Sequence, residues 1–404
     1  MKLLDRFLQY VKIDTQSQQE VEVVPSTDKQ LVLSRLLCEQ LREMGASDVI
    51  LSSHGYVYAT IPANNCDCNT TIGFIAHVDT SPAVSGQNVT PKLTTNYDGG
   101  DIVLSEGYTL SSKEYPLLKR FIGKTIITSD GTTLLGADDK AGVAEIMAMA
   151  ETLLSDKSIS HGVVKIAFTP DEEVGRGADF FDVEGFGCDY AYTVDGAILG
   201  EMDYENFNAA SATIVVNGVS IHPGSAKGKM VNAILVLQEL ESMLPEREKP
   251  QYTEGYEGFY HLDSMSGNVN YCKGDYIIRD HDRQKFEIKK AFMQHCCESL
   301  NHKYGAGTVD CSIKDSYYNM KDKILSNIHL VDNAKLAMEK LGVEPIIMPI
   351  RGGTDGARLS FMGLPCPNLC AGGDNFHGRY EYIPYEDMET IVKILLNIVE
   401  IYSK

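Results

Sequence analysis

Five stretches of the chain bring imidazoles and carboxylates together in a way that could do chemistry. They are His77-Val78-Asp79, Asp138-Asp139, Glu172-Glu173, Asp195 before Gly196, and His377 in a glycine-flanked loop. Imidazole with carboxylate is the N/O ligand set of zinc and related divalent ions. One tetrahedral catalytic zinc takes three protein ligands and a water. Two histidines and three or more carboxylates exceed that need. The surplus points to two ions, roughly 3.5–4 Å apart, sharing a carboxylate and a water. Without cations, so many carboxylates in one cleft would repel one another and take up protons.

Spacing adds detail. On an extended chain His77 and Asp79 point to the same side, so Asp79 can orient the imidazole through its second ring nitrogen. The side chains of Glu172 and Glu173 diverge, so one can be a ligand while its neighbour serves as general base. Spacing does not say which of Asp138 and Asp139 is the ligand. Each stretch alone has an ordinary explanation: a solvated strand end, an acidic helix start, a turn or a loop histidine. His222-Pro223-Gly224 likewise reads locally as a turn. Five such stretches at strand or loop ends are harder to attribute to accident.

The elements that must position them form an α/β pattern. Helical spacing covers Leu3–Lys12 and Leu31–Met44, with Gly45 as a stop. Short apolar strands, Thr71–Ala76, Val163–Phe168 and Tyr190–Val194, deliver the chain to His77, to Glu172-Glu173 and to Asp195. A helix marked by Ala141 to Leu153 follows Asp138-Asp139. In open α/β sheets ligands bind beyond the carboxyl ends of the strands, where distant clusters can meet. The pattern changes near Phe207. A strand at Ala210–Val216, a helix at Met230–Leu244, strands at Met265–Cys272 and Asp275–Arg279, a helix at Arg283–Leu300 and a strand at Val309–Lys314 give β-α-β-β-α-β order. That order is ferredoxin-like. The expected organisation is a catalytic domain of residues 1–207 and 317–404, interrupted by an inserted α+β domain of residues 208–316.

Composition narrows the function. With 56 Asp+Glu against 36 Lys+Arg the net charge is -20, which disfavours nucleic acid and favours cations or ammonium groups. No uncharged apolar run approaches the ~20 residues that span a bilayer, so no membrane role is expected. The start lacks the apolar core of a secretion signal. The ten cysteines lack zinc-ribbon spacing and read as reduced thiols of a cytoplasmic protein. No G-x-S-x-G elbow, P-loop or G-x-G-x-x-G follows a strand.

His77–Ser81, Gly136–Gly142, Thr169–Glu173, Thr193–Gly196 and Gly372–Gly378 together resemble the M20 family of di-zinc metallopeptidases, which also contains aminoacylases and glutamate carboxypeptidases. The resemblance covers essentially the whole chain. It implies a zinc-dependent exopeptidase-like catalytic domain with a lid or dimerisation domain inserted in it. It implies that His77, Asp138 and Asp195 hold one Zn2+, and that Asp138, Glu173 and His377 hold the other, with Co2+ or Mn2+ as substitutes. Glu172 would be the general base and Asp79 the partner of His77, with a cis peptide at Asp138–Asp139. His222 and Arg279, with Arg351 as another candidate, would reach the substrate. The implied activity is removal of the N-terminal residue from short peptides with a free amine, tripeptides above all. Dipeptidase, carboxypeptidase and N-acyl amino acid deacylase activities share the same ligands and stand as the alternative. The inserted domain would suit a homodimer without requiring one.

Overall fold

The short apolar runs become the middle of one sheet. In the computed structural model, which describes residues 1–404, Ile72–His77 is a strand buried at every position. Val164–Thr169 and Tyr190–Gly196 are nearly as deep. Strands covered on both faces lose the in–out alternation, which explains their continuous apolar sequences. The sheet has eight strands, in the order Ser47–Leu51, Val57–Ile61, Val164–Thr169, Ile72–His77, Tyr190–Gly196, Asn368–Cys370, Glu201–Asp203, Ile346–Ile347. Four neighbours, from Val164–Thr169 to Asn368–Cys370, run parallel. Their carboxyl ends at Thr169, His77, Gly196 and Cys370 therefore share one edge.

The helix Ala137–Ser155 packs on the strands Ile72–His77 and Tyr190–Gly196, and against the helices Leu3–Tyr10 and Tyr385–Tyr402. It is apolar nearly all round because it is covered nearly all round. Asp138 and Asp139 lie outside helical geometry at its start. Gly142 sets how closely it approaches the sheet: a Cβ there would sit 1.9 Å from the Val194 carbonyl oxygen. No helix is long and apolar enough to cross a membrane.

The chain forms two compact units. The first comprises Met1–Tyr204, Asp322–Met348 and Thr354–Lys404; the second comprises Glu205–Lys321 and Pro349–Gly353. The second is a four-stranded antiparallel sheet, ordered Phe259–Gly267, Tyr271–Asp280, Asn208–Asn217, Val309–Tyr317. The helices Ala233–Met243 and Arg283–Tyr304 bury their apolar sides against it, with Leu237, Leu240, Phe286 and Met293 in the shared core. This is the ferredoxin-like order.

Three sequence expectations need correction here. The expected strand Met265–Cys272 straddles a hairpin turn. Asn268 donates to the Tyr271 carbonyl at 2.6 Å, and its side chain accepts from the Asn270 amide at 2.8 Å. The helix expected from Met230 starts only at Ala233, because Val231 pairs with Val219 and the Asn232 side chain caps the Ile234 amide. The second unit also reaches beyond 208–316. The Ile350 amide donates to the Glu205 carbonyl at 2.9 Å and its own carbonyl meets His281 Nε2 at 3.0 Å, so a five-residue return joins it.

Candidate metal centre

His77 is the last residue of its strand, and both of its ring nitrogens are engaged. Nδ1 lies 3.1 Å from the Asp79 carbonyl oxygen and 3.3 Å from Asp79 Oδ1. Nε2 lies 2.9 Å from Asp138 Oδ1 and 3.3 Å from Asp195 Oδ1. His377, reaching in from its loop, places Nε2 3.1 Å from Asp138 Oδ2 and 2.8 Å from Glu173 Oε2. Asp138 thus gives one oxygen to each imidazole. The two groups share that carboxylate, and the ligand atoms of His77, Asp138 and Glu173 also lie within 4.8 Å of one another. A carboxylate oxygen of Glu172 lies within 4.8 Å of the ligand atoms of His77 and Asp195.

The residues between these groups hold them in register. Asp139, fully buried, accepts from the His77 amide at 3.1 Å and the Gly142 amide at 3.2 Å. Both Asp139 oxygens are therefore committed to the backbone. Asp79 has a second task that the sequence did not reveal. Its two oxygens accept the amides of Glu172 at 3.0 Å and Glu173 at 3.2 Å, fixing the turn that aims these side chains apart. Asp171, at φ 59, is gripped from the other side by the Ser26 amide and hydroxyl and by Gln30. The Asp138–Asp139 peptide is cis.

Glu381 also escaped sequence reasoning. Only 1% exposed, it accepts the Leu135 and Gly136 amides at 2.8 Å each and the Asp138 amide at 3.0 Å. It lies four residues after His377 and so ties the loop of one imidazole to the segment bearing the shared carboxylate. No local signal marks it, because its partners are more than 240 positions away.

Crowding dominates the electrostatics. Burial, with the His77 charge and hydrogen bond pulling the other way, leaves the Asp195 carboxyl pushed up to about 6. Burial and the neighbouring Asp138 charge push Glu173 up to about 7. Burial and the Asp195 charge hold Glu172 well above the usual carboxylate range. Asp138 goes the opposite way: burial would raise it, but hydrogen bonds from His377 and His77 hold it below. Bonds to Asp138 and Glu173 lift His377 to about 11. Left to themselves these side chains share protons between imidazoles and carboxylates. Divalent cations would satisfy the same lone pairs. The donor set fits such ions: imidazole nitrogen and carboxylate oxygen with no sulfur, and a buried Glu173 Oε1 that no protein group hydrogen-bonds.

The substrate residues expected from the resemblance belong to the second unit. His222 is exposed and its Nδ1 accepts the Gly224 amide at 3.1 Å. Arg279 is half-buried, its guanidinium 5.1 Å from the centre of the Tyr317 ring. Arg351 is otherwise employed. Nη1 donates to the Gly255 and Glu257 carbonyls at 2.8 and 3.0 Å, and Nη2 to Thr253 at 2.9 and 3.3 Å. With four of its five donors spent on backbone and a threonine, Arg351 shapes the second unit and does not suit a carboxylate clamp.

A model of Peptidase family M20/M25/M40 matches residues 130–401. A Peptidase T of Alkaliphilus oremlandii is 55% identical over 409 residues, covering 100% of this chain and 99% of that one. The chain belongs to Peptidase family M20/M25/M40. The aminopeptidase PepT of Bacillus cereus shares the fold with a TM-score of 0.79 at 24% identity, over 100% of this chain and 98% of that one. A tripeptidase of Staphylococcus aureus does so with a TM-score of 0.79 at 23% identity, over 99% and 98%.

Proposed function

We propose that the chain is a two-metal aminopeptidase that removes the N-terminal residue from short peptides, tripeptides above all. The observation that carries this is the division of the Asp138 carboxylate between His77 and His377, with Glu172 beside one group and Glu173 in the other. Full-length likeness to a Peptidase T at 55% identity supports the choice of substrate.

His77, Asp138 and Asp195 would hold one ion, and Asp138, Glu173 and His377 the other. Zinc suits this set, and cobalt or manganese is a chemically reasonable substitute. Bound there, the two ions would polarise the scissile carbonyl and make a water acidic enough to attack near neutral pH. Glu172 takes the proton of the attacking water and returns it to the leaving amine. Asp79 holds His77 in one orientation and fixes the turn that aims Glu172. The assignment of His222 and Arg279 to the substrate rests on the family resemblance and is tested by substitution. The ten free thiols suit a reducing cytoplasm.

The test joins a metal count per chain to turnover on three substrates: a tripeptide with a free amine, a dipeptide, and an acetylated amino acid. The reading expects two ions per chain, and hydrolysis of the tripeptide ahead of the other two. Two bound ions with no cleavage of the tripeptide would overturn it.

A further inference from the structure

Asp79 holds the amides of Glu172 and Glu173, and Ser26 and Gln30 hold Asp171. These contacts fix the entrance of the turn that carries the two glutamates. Its exit, residues 174–179, contains Gly175, at φ 74, and Gly177. Glycine populates many backbone conformations, so this stretch needs contacts from elsewhere to hold one of them.

The helix Asp355–Phe361 supplies them. Leu359, fully buried, shares an apolar core with Ala178 and Phe181. Gly356 brings the helix close to the sheet: a Cβ there would fall 2.6 Å from the Cys366 carbonyl oxygen and 3.0 Å from Thr193 Oγ1. On this seated helix Asp355 and Arg358 are three apart and face the same way. Asp355 accepts the Thr169 hydroxyl at 2.8 Å, at the end of the strand that leads into the turn. Its carboxylate also lies against Gly177, where a Cβ would fall 2.2 Å from each oxygen. Arg358 spans two points of the exit. Nη1 donates to the Gly175 carbonyl at 3.0 Å, and Nη2 pairs with Asp179 Oδ1 at 2.7 Å. The other oxygen of Asp179 takes Arg176 Nε at 2.9 Å. The Gly175 amide in turn donates to the Glu172 carbonyl at 2.7 Å. Two hydrogen bonds, with Gly175 between them, therefore link the guanidinium to the backbone of Glu172.

We propose that Arg358 is a positioning residue for Glu172: its guanidinium fixes the exit of the turn and so aims the Glu172 carboxylate. The proposal rests on the reading of Glu172 as general base. The residue type suits the task. A guanidinium is planar and always charged, with its donors in a rigid fork, so it engages a carbonyl and a carboxylate together in one geometry. A lysine ammonium on its flexible stem would engage one of the two. The Arg358 side chain is 32% exposed, and an ion pair so open to water adds little to stability. Its effect is on geometry, where a displacement of about 1 Å at a reacting group can lower the rate about 100-fold.

The test compares Arg358→Ala, Arg358→Lys and Glu172→Ala in the full chain, with the metal ions counted and a free-amine tripeptide as substrate. Arg358→Ala should lower kcat by about 10–100-fold. KM should stay within about twofold of wild type, because only the reacting geometry is disturbed. Both ions should be retained, and Tm should stay close to the wild-type value. Arg358→Lys should recover part of the lost kcat. It keeps the charge and much of the volume, so it decides the question even if the alanine variant folds poorly. Wild-type kcat in either Arg358 variant, beside an inactive Glu172→Ala, would overturn the proposal and leave the base assignment standing. So would loss of an ion, which would place the effect on Glu173, or a lowered Tm with kcat per folded chain unchanged. Near-normal turnover in Glu172→Ala would remove the base assignment and this proposal with it.

Discussion

Replacing Glu381 by Gln separates holding the fold from holding the metal. The side chain keeps its shape but one acceptor becomes an NH2 group. The best orientation keeps the amide oxygen on Leu135 and Gly136 and turns the NH2 towards the Asp138 amide. One buried N–H is then orphaned, at about 1–3 kcal/mol. Against this stands the cost of keeping a carboxylate out of water. Burial, opposed by the three amides, pushes Glu381 from 4.5 up to about 7. The rise corresponds to about 3 kcal/mol at roughly 1.4 kcal/mol for each tenfold. Gln is free of that cost, so the two sides nearly cancel and the metal-free chain should unfold within about 2 kcal/mol of wild type in urea. Metal binding has no such compensation, because the orphaned amide is that of Asp138 itself. Affinity should fall by about 10–100-fold, as for other groups that orient a ligand. Because Asp138 faces both imidazoles, both ions should weaken together. Calorimetric zinc titration of the apo chain reads both. Unchanged zinc affinity, or a loss confined to one ion, would refute the reasoning. So would collapse of the fold, which would make Glu381 a structural residue only.

Glu172→Ala should retain two ions and lose about 10²–10⁴-fold in kcat; near-normal turnover would reject it as the base. Metal binding should release protons and tighten as pH rises through about 6 and about 7 and on towards about 11, because Asp195, Glu173 and His377 are protonated below those values and must deprotonate to ligate. Calorimetry in buffers of different ionisation enthalpy measures this, and binding independent of pH would contradict it. Gly142→Ala should lower stability by about 1–3 kcal/mol through the clash with Val194, read as a reduced Tm. Arg351→Ala should lower stability by about 1–3 kcal/mol with KM for tripeptides kept, whereas Arg279→Ala should raise KM for peptides with a free carboxyl end. A comparison of tripeptides with their amides checks the pair.

The legible part of the site was whatever a strand end announces. His77, Glu172-Glu173 and Asp195 each follow a short apolar run, and such runs end at the ligand-binding edge of a parallel sheet. Glu381 gave no such signal, since its role consists of backbone amides brought near by folding. Asp79 was half-read: its bond to His77 follows from spacing of two, but its grip on the Glu172 and Glu173 amides spans 93 and 94 positions. The Met265–Cys272 run failed for a local reason. Its Gly267, Asn268 and Asn270 are turn residues, and the β-rich composition on either side belongs to two antiparallel strands.

The return stretch Pro349–Gly353 has a practical consequence for anyone exchanging modules between relatives. Cutting at 205 and 321 would take the carbonyls of Thr253, Gly255 and Glu257 and leave behind the guanidinium that gathers them. A graft should therefore carry both pieces, for instance by joining 349–353 to the excised stretch through a short linker.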